Sequence, residues 1–191
     1  MQKLRDKINS YYKISEEDLD FTLSFYKKKV IPKGEYLFKS GQYVNQWFYI
    51  VTGCVCYYML KDGKQKVMEF FTDDEFVTDL YSFVRDTPTV CYLVAMEETI
   101  IFTLDKESVH KIFDHSHDLE RFGRLSMQDT VLKTFSRVTH LNTMTNEQRY
   151  LRLLNKRPTL FQKVPQYLIA SYLGLTPVGL SKIRKRLSGN R

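Results

Sequence analysis

Gln166-Tyr167-Leu168-Ile169-Ala170-Ser171-Tyr172-Leu173-Gly174-Leu175-Thr176-Pro177-Val178-Gly179-Leu180-Ser181-Lys182-Ile183-Arg184-Lys185-Arg186-Leu187 reads as two helices joined by a tight turn. Ala170 is small where the helices must cross. Gly174 falls where the chain must turn, and glycine tolerates the left-handed conformation. Thr176 is a helix cap and Pro177 suits the first helical position. Ile169, Leu173, Leu175, Leu180 and Ile183 can close a small core between the two helices. On the second helix Leu180, Ile183 and Leu187 share one face, leaving Val178, Ser181, Lys182 and Lys185 on the other. A helix that shows lysine and serine outward suits the major groove of DNA. Thr176 and Pro177 then open the interface, and Arg184, Arg186 and Arg191 fall near phosphates. The plainer reading is a helical hairpin with a solvated basic face.

Charge favours a polyanion. Residues 1–120 hold 15 basic and 20 acidic side chains; residues 121–191 hold 14 basic and two acidic, Asp129 and Glu147. The positive field is therefore confined to the last third of a chain whose net charge is +7. Such asymmetry predicts two parts, one of which meets nucleic acid.

Upstream, Asn146 to Lys156 reads as a helix stopped before Pro158. From about Asp118, apolar positions at Leu119, Phe122, Leu125, Leu132, Phe135, Val138 and Leu141 step by threes and fours, one long amphipathic helix. Such a stripe packs either on the core of its own chain or on the same helix of a second chain; nothing nearby in sequence offers a matching stripe, so the second chain is the expected partner. Phe122, Leu125, Leu132 and Phe135 are its expected contacts.

Residues 35–104 change character. Tyr36 to Phe38, Trp47 to Val51, Val55 to Leu60, Val67 to Phe71, Thr89 to Ala95 and Thr99 to Leu104 are β-rich runs parted by turn residues, with Asp62-Gly63 at a hairpin. Residues 1–30 read as helical, with Ser15 ahead of Glu16-Glu17-Asp18 as a cap. The expected fold is α+β: an N-terminal antiparallel β-roll, a long dimerisation helix and a C-terminal helix-turn-helix. The expected division is 1–117, 118–143 and 144–191.

The C-terminal segment resembles the helix-turn-helix of the Crp/Fnr family of bacterial transcription regulators, and Arg149-Tyr150-Leu151-Arg152-Leu153-Leu154 with Ile169 to Pro177 resembles a Bacteroidetes-type branch. Ile31-Pro32-Lys33-Gly34-Glu35, Ser40-Gly41-Gln42 and Phe48 to Val55 are similar to that family's cyclic-nucleotide-binding β-roll. The resemblance implies a cytoplasmic homodimer that binds double-stranded DNA, with RNA polymerase as a further candidate partner. It departs from the family in two places. Val178 stands where many relatives carry a Glu that accepts from cytosine. Lys182 stands where relatives often have Arg, which weakens bidentate reading of guanine.

The family's cyclic-nucleotide cradle uses a Gly-Glu-Leu turn for the ribose and an Arg-Ser-Ala stretch for the phosphate. The matching places hold Thr78-Asp79-Leu80 and Thr89-Val90-Cys91. Thr89 carries no charge, and Asp73, Asp74, Glu75 and Asp79 would repel a phosphate. A degenerate pocket of Phe76, Thr78, Asp79, Leu80, Tyr81, Thr89, Val90 and Cys91 is expected, unresponsive to cyclic AMP or cyclic GMP. Its effector is an unknown small molecule, or there is none. Tyr81, Phe83 and Tyr92 are further candidate linings, with core packing the competing role.

Other chemistry is thin. Cys54 and Cys56 alternate on a strand and, with Cys91, are expected to be buried in the β-core. His110, Asp114, His115 and His117 read as surface residues, because a His-x-His pair on a helix points its rings about 200° apart. No cofactor, metal, membrane span or enzymatic motif is implied. The competing class is an effector-sensing or protein-interaction module with a basic tail and no specific DNA site.

Overall fold

The computed structural model describes residues 1–189; Arg191 lies outside the described residues. Two helices, α1 (Gln2–Tyr11) and α2 (Glu16–Ser24), lead into strands β1 (Lys27–Ile31), β2 (Tyr36–Phe38), β3 (Gln46–Thr52), β4 (Cys54–Lys61), β5 (Lys64–Thr72) and β6 (Glu75–Val77). Helix α3 (Leu80–Arg85), strands β7 (Cys91–Ala95) and β8 (Thr99–Asp105), and helices α4 (Lys106–His115) and α5 (His117–Thr143) follow. The chain ends in α6 (Asn146–Lys156), α7 (Leu160–Lys163), α8 (Gln166–Tyr172) and α9 (Pro177–Gly189).

The strands form two antiparallel four-stranded sheets, β1-β8-β3-β6 and β2-β7-β4-β5. The β4–β5 hairpin turns at Asp62-Gly63, both at positive φ, with Lys61 opposite Lys64, the geometry the right-handed strand twist favours. Ile31, Phe38, Phe48, Ile50, Val55, Leu93 and Ile101 fill the space between the sheets. The opposite face of the first sheet (Trp47, Tyr49, Phe102, Leu104) is covered by Leu4 and Ile8 of α1, Leu19 of α2, Ile112 of α4, and Leu119 and Phe122 of α5.

The second sheet is also covered on its outer face. Cys54, Cys56 and Tyr58 of β4 and Val67 and Phe70 of β5 pack against Leu153, Leu160, Val164, Leu168, Ile169 and Ala170 of the C-terminal helices. Burial on both faces explains why β4 reads as an almost unbroken apolar run rather than an alternation. Cys54 and Cys56 are buried, but under the C-terminal helices; only Cys91 lies between the sheets.

Side-chain caps set the helix boundaries. Asp105 accepts from the Ser108 amide at 2.8 Å, and Ser116 from the Leu119 amide at 3.3 Å, which separates α4 from α5. Those two helices cross so closely that a Cβ on Gly123 would meet the Phe113 ring at 2.4 Å. The helical expectation for residues 1–30 fails at its end, because Lys27–Ile31 pairs with β8 as an edge strand. Its three exposed lysines suit that edge, since charge discourages pairing with another chain. Strand β6 and helices α3 and α7 are too short for the periodicity to show.

Candidate nucleic-acid interface

Helix α8 ends in a left-handed glycine motif. Gly174 sits at φ +70°, and the Leu175 amide donates to the Ala170 carbonyl at 2.8 Å, which satisfies one of the orphan carbonyls at the helix end. Two residues on, the Thr176 hydroxyl accepts from the Gly179 amide at 3.1 Å and opens α9, with Pro177 first in the helix. Ile169, Ala170, Leu173, Leu180 and Ile183 are buried and Leu175 and Leu187 half-buried, so the pair closes over its own small core.

The other side of α9 is open. Thr176, Pro177, Val178 (65% exposed), Ser181, Lys182, Arg184 and Lys185 all lie at the surface. Among the described residues, no ion pair engages Lys182, Arg184 or Lys185. Arg186 departs from the expectation: it is ion-paired with Glu147 of α6, which draws it away from a phosphate. Arg149, which the sequence did not single out for a role, ties this unit to α5. It donates to the carbonyls of Leu173 at 2.9 Å and Met144 at 2.6 Å. Apart from the Asn146 side chain at 2.6 Å, its partners are backbone carbonyls, which leave no trace in the sequence.

The long helix divides into two halves. Phe122 is 4% exposed and meets the rings of Tyr11 and Phe76. It is therefore core of its own chain, a correction to the expected dimer contact, and Leu125 is half-buried. Leu132 and Phe135 are bare, 66% and 70% exposed, as are Val131 and Val138 beside them.

The expected effector residues scatter. Thr78 donates to the Gln46 carbonyl at 2.9 Å. Asp79 is 6% exposed; it caps α3 by accepting from the Ser82 amide at 3.3 Å, and it accepts the Thr89 hydroxyl. The Cys91 amide in turn donates to Thr89 at 2.9 Å. These residues do come together, but on each other. Phe76 sits in an aromatic cluster, 5.2 Å from the Tyr49 ring, while Leu80 and Phe83 pack into the same core. Tyr81 and Val90 are exposed. Tyr92 stacks on Tyr58 at 5.0 Å on the outer sheet face, and Cys91 faces the inter-sheet core. Phe76, Tyr81, Val90, Cys91 and Tyr92 therefore do not line one cavity. Asp73, Asp74 and Glu75 are occupied by the Gly53 amide, the Tyr49 hydroxyl and the Thr72 amide. Where the nucleotide phosphate would need a cation, the structure places the uncharged Thr89, its hydroxyl already given to the buried Asp79 carboxylate, so these residues do not fit a cyclic nucleotide.

His115 stacks on Phe21 at 3.7 Å. Among the described residues, no group of His, Cys, Asp and Glu is arranged to hold a metal, and no helix is long and apolar enough to cross a membrane.

Residues 28–116 match the family model of the cyclic nucleotide-binding domain. That stretch of the chain has a cyclic-nucleotide-binding-type fold. No curated protein sequence matches the chain. Solved structures extend the likeness beyond the β-domain. FixK2 of Bradyrhizobium japonicum superposes with a TM-score of 0.73 at 16% identity, covering 86% of this chain and 85% of that one. The global regulator CLP of Xanthomonas campestris, described as responsive to cyclic di-GMP, gives 0.69 at 17%, over 92% and 93%. The catabolite activator protein of Thermus thermophilus gives 0.59 at 15%, over 94% and 86%. At these identities the likeness is one of fold.

Proposed function

We propose that the chain is a homodimeric, sequence-specific DNA-binding transcription regulator of the Crp/Fnr type that does not respond to cyclic AMP. Its division is 1–117 sensor, 118–143 dimerisation helix and 144–191 helix-turn-helix. The observation that carries the reading is the outward face of α9, where Val178, Ser181, Lys182 and Lys185 stand exposed on a helix anchored from behind by Leu180 and Ile183. Lysine and serine there reach base edges, Val178 meets a thymine methyl, and Arg184 adds phosphate affinity.

Dimerisation supplies the second reading helix. The bare strip of Val131, Leu132, Phe135 and Val138 on α5 is a run of apolar side chains that water disfavours, and the same strip of a second chain covers it. Two α9 helices then stand about 34 Å apart and read a two-fold site.

Silence toward cyclic AMP follows from Asp79. Its carboxylate already takes the α3 amide and the Thr89 hydroxyl that an incoming phosphate would need.

Selection from random duplexes tests the reading. An enriched two-fold-related sequence is expected, with affinity falling about 10–100-fold in the Lys182→Ala, Lys185→Ala double variant at constant salt. Recovery without any shared sequence, or unchanged affinity in the double variant, overturns it.

A further inference from the structure

The outward side of α5 changes chemistry part-way along. Its bare apolar strip centres on Val131, Phe135 and Val138. Continued toward the helix start with the same alternation of three- and four-residue steps, the strip runs through Gln128, Arg124, Arg121 and His117, which are exposed as well. Such steps average the 3.5-residue repeat that keeps one helix in contact with another. These side chains therefore share a single seam, apolar in its second half and basic in its first. Leu119, Phe122 and Ser126 are buried on the opposite side of the helix, so the seam is turned away from its own β-domain.

The two arginines are positioned without being neutralised. Arg121 lies 4.3 Å over the Tyr12 ring and donates to the Tyr12 hydroxyl at 3.5 Å. Arg124 donates to Gln128, the next residue of the seam, at 3.3 Å. Among the described residues, neither arginine takes part in an ion pair. An open cleft of about 410 Å³ lies along this stretch, lined by His117, Asp118, Glu120, Arg121 and Arg124. At 100° per residue its two carboxylates fall on the flanks of the seam, and Glu120 lies 3.3 Å from the His117 ring.

The proposed dimer gives the basic half a partner. Both α9 helices must reach one duplex, so the two copies of α5 run parallel, and each seam residue faces its own counterpart across the two-fold axis. Val131, Phe135 and Val138 then meet in an apolar contact. Arg121 and Arg124 meet the same two cations of the second copy, and like charges facing one another oppose an interface. A phosphoryl group removes the conflict, because guanidinium groups donate to its oxygens in pairs.

We propose that Arg121 and Arg124 of two α5 helices form a site for a phosphate-bearing small molecule, complete only when the second copy is in place. The site rests on the dimer proposed above and shares no residue with the degenerate cradle around Asp79. The apolar half of the seam drives association, and the basic half makes association depend on an anion. A ligand that binds only the paired form tightens the pairing by mass action.

Sedimentation equilibrium of the full-length protein tests it, with sodium pyrophosphate as the probe and sodium chloride holding the ionic strength constant. The wild-type dimer dissociation constant is expected to fall about tenfold at millimolar pyrophosphate. The Arg121→Gln, Arg124→Gln double variant loses the repulsion together with the site. It is expected to dimerise about tenfold more tightly than the wild type without the anion, and to be insensitive to pyrophosphate. An equal pyrophosphate response in wild type and variant overturns the proposal. A wild-type dimer blind to pyrophosphate overturns this site alone, whereas a wild type that stays monomeric with and without the anion overturns the dimer as well.

Discussion

Glu147 of α6 holds Arg186 of α9 in an ion pair that links the candidate reading helix to its neighbour. The pair is solvent-exposed, so it contributes little to stability; under the proposed function its effect is to withhold one cation from DNA. Glu147→Gln releases Arg186. The expected result is tighter, less selective duplex binding, with the log–log salt dependence steepening by about one per half-site. An unchanged slope would show that Arg186 stays clear of phosphate even when freed.

Thr89 and Asp79 form the buried counterpart of that pair. Replacing Thr89 with Val keeps the volume and removes the donor, leaving the Asp79 carboxylate short of a partner. A loss of about 1–3 kcal/mol in urea unfolding is expected. Calorimetric titration of the wild type with cyclic AMP or cyclic GMP is expected to give no micromolar binding.

Phe135 and Leu132 are bare on α5. Phe135→Asp is expected to convert a dimer into a monomer in analytical ultracentrifugation. Thermal stability at low concentration should stay within about 0.5 kcal/mol of the wild type, because the side chain touches little of its own chain. A dimer that survives the substitution would place the two-fold contact elsewhere.

Alkali is expected to weaken the protein through Cys54. Burial pushes this thiol from its ordinary 9.0 up to about 12, against the opposing pull of Arg157 and Lys163. A raised folded-state value means that the thiol's contribution is fully present below pH 9.0 and is lost as pH climbs through about 12. Urea midpoints at about pH 8 and about pH 11 should therefore fall more steeply for the wild type than for Cys54→Ala. Parallel declines would remove Cys54 from the account.

Sequence legibility followed the range of the interactions. The β4–β5 hairpin announced itself in Asp62-Gly63, and the start of α9 in Thr176-Pro177, because both are set by neighbours a few residues away. Phe122 and Phe135 sit on one periodic stripe of α5, yet the first is capped by Tyr11 and Phe76 and the second is bare. Periodicity records that a face is apolar and carries nothing about what covers it. Lys27 to Lys29 looked like a helix end until β8 paired with them. The candidate reading face was plain in the spacing of Val178, Ser181, Lys182 and Lys185. The bonds that Glu69 accepts from Arg157 at 3.0 Å and from the Tyr172 hydroxyl at 3.2 Å were invisible, since those residues stand 88 and 103 positions away from it in the chain.

The two-sided burial of β4 means that the N-terminal half was never shaped to live alone. A truncation after Ser116 would strip the cover from Cys54, Cys56, Tyr58, Val67 and Phe70 and leave a naked greasy plate facing water. Such a fragment would clump unless those positions were repainted with polar residues, so this β-domain cannot be borrowed as a ready-made cassette.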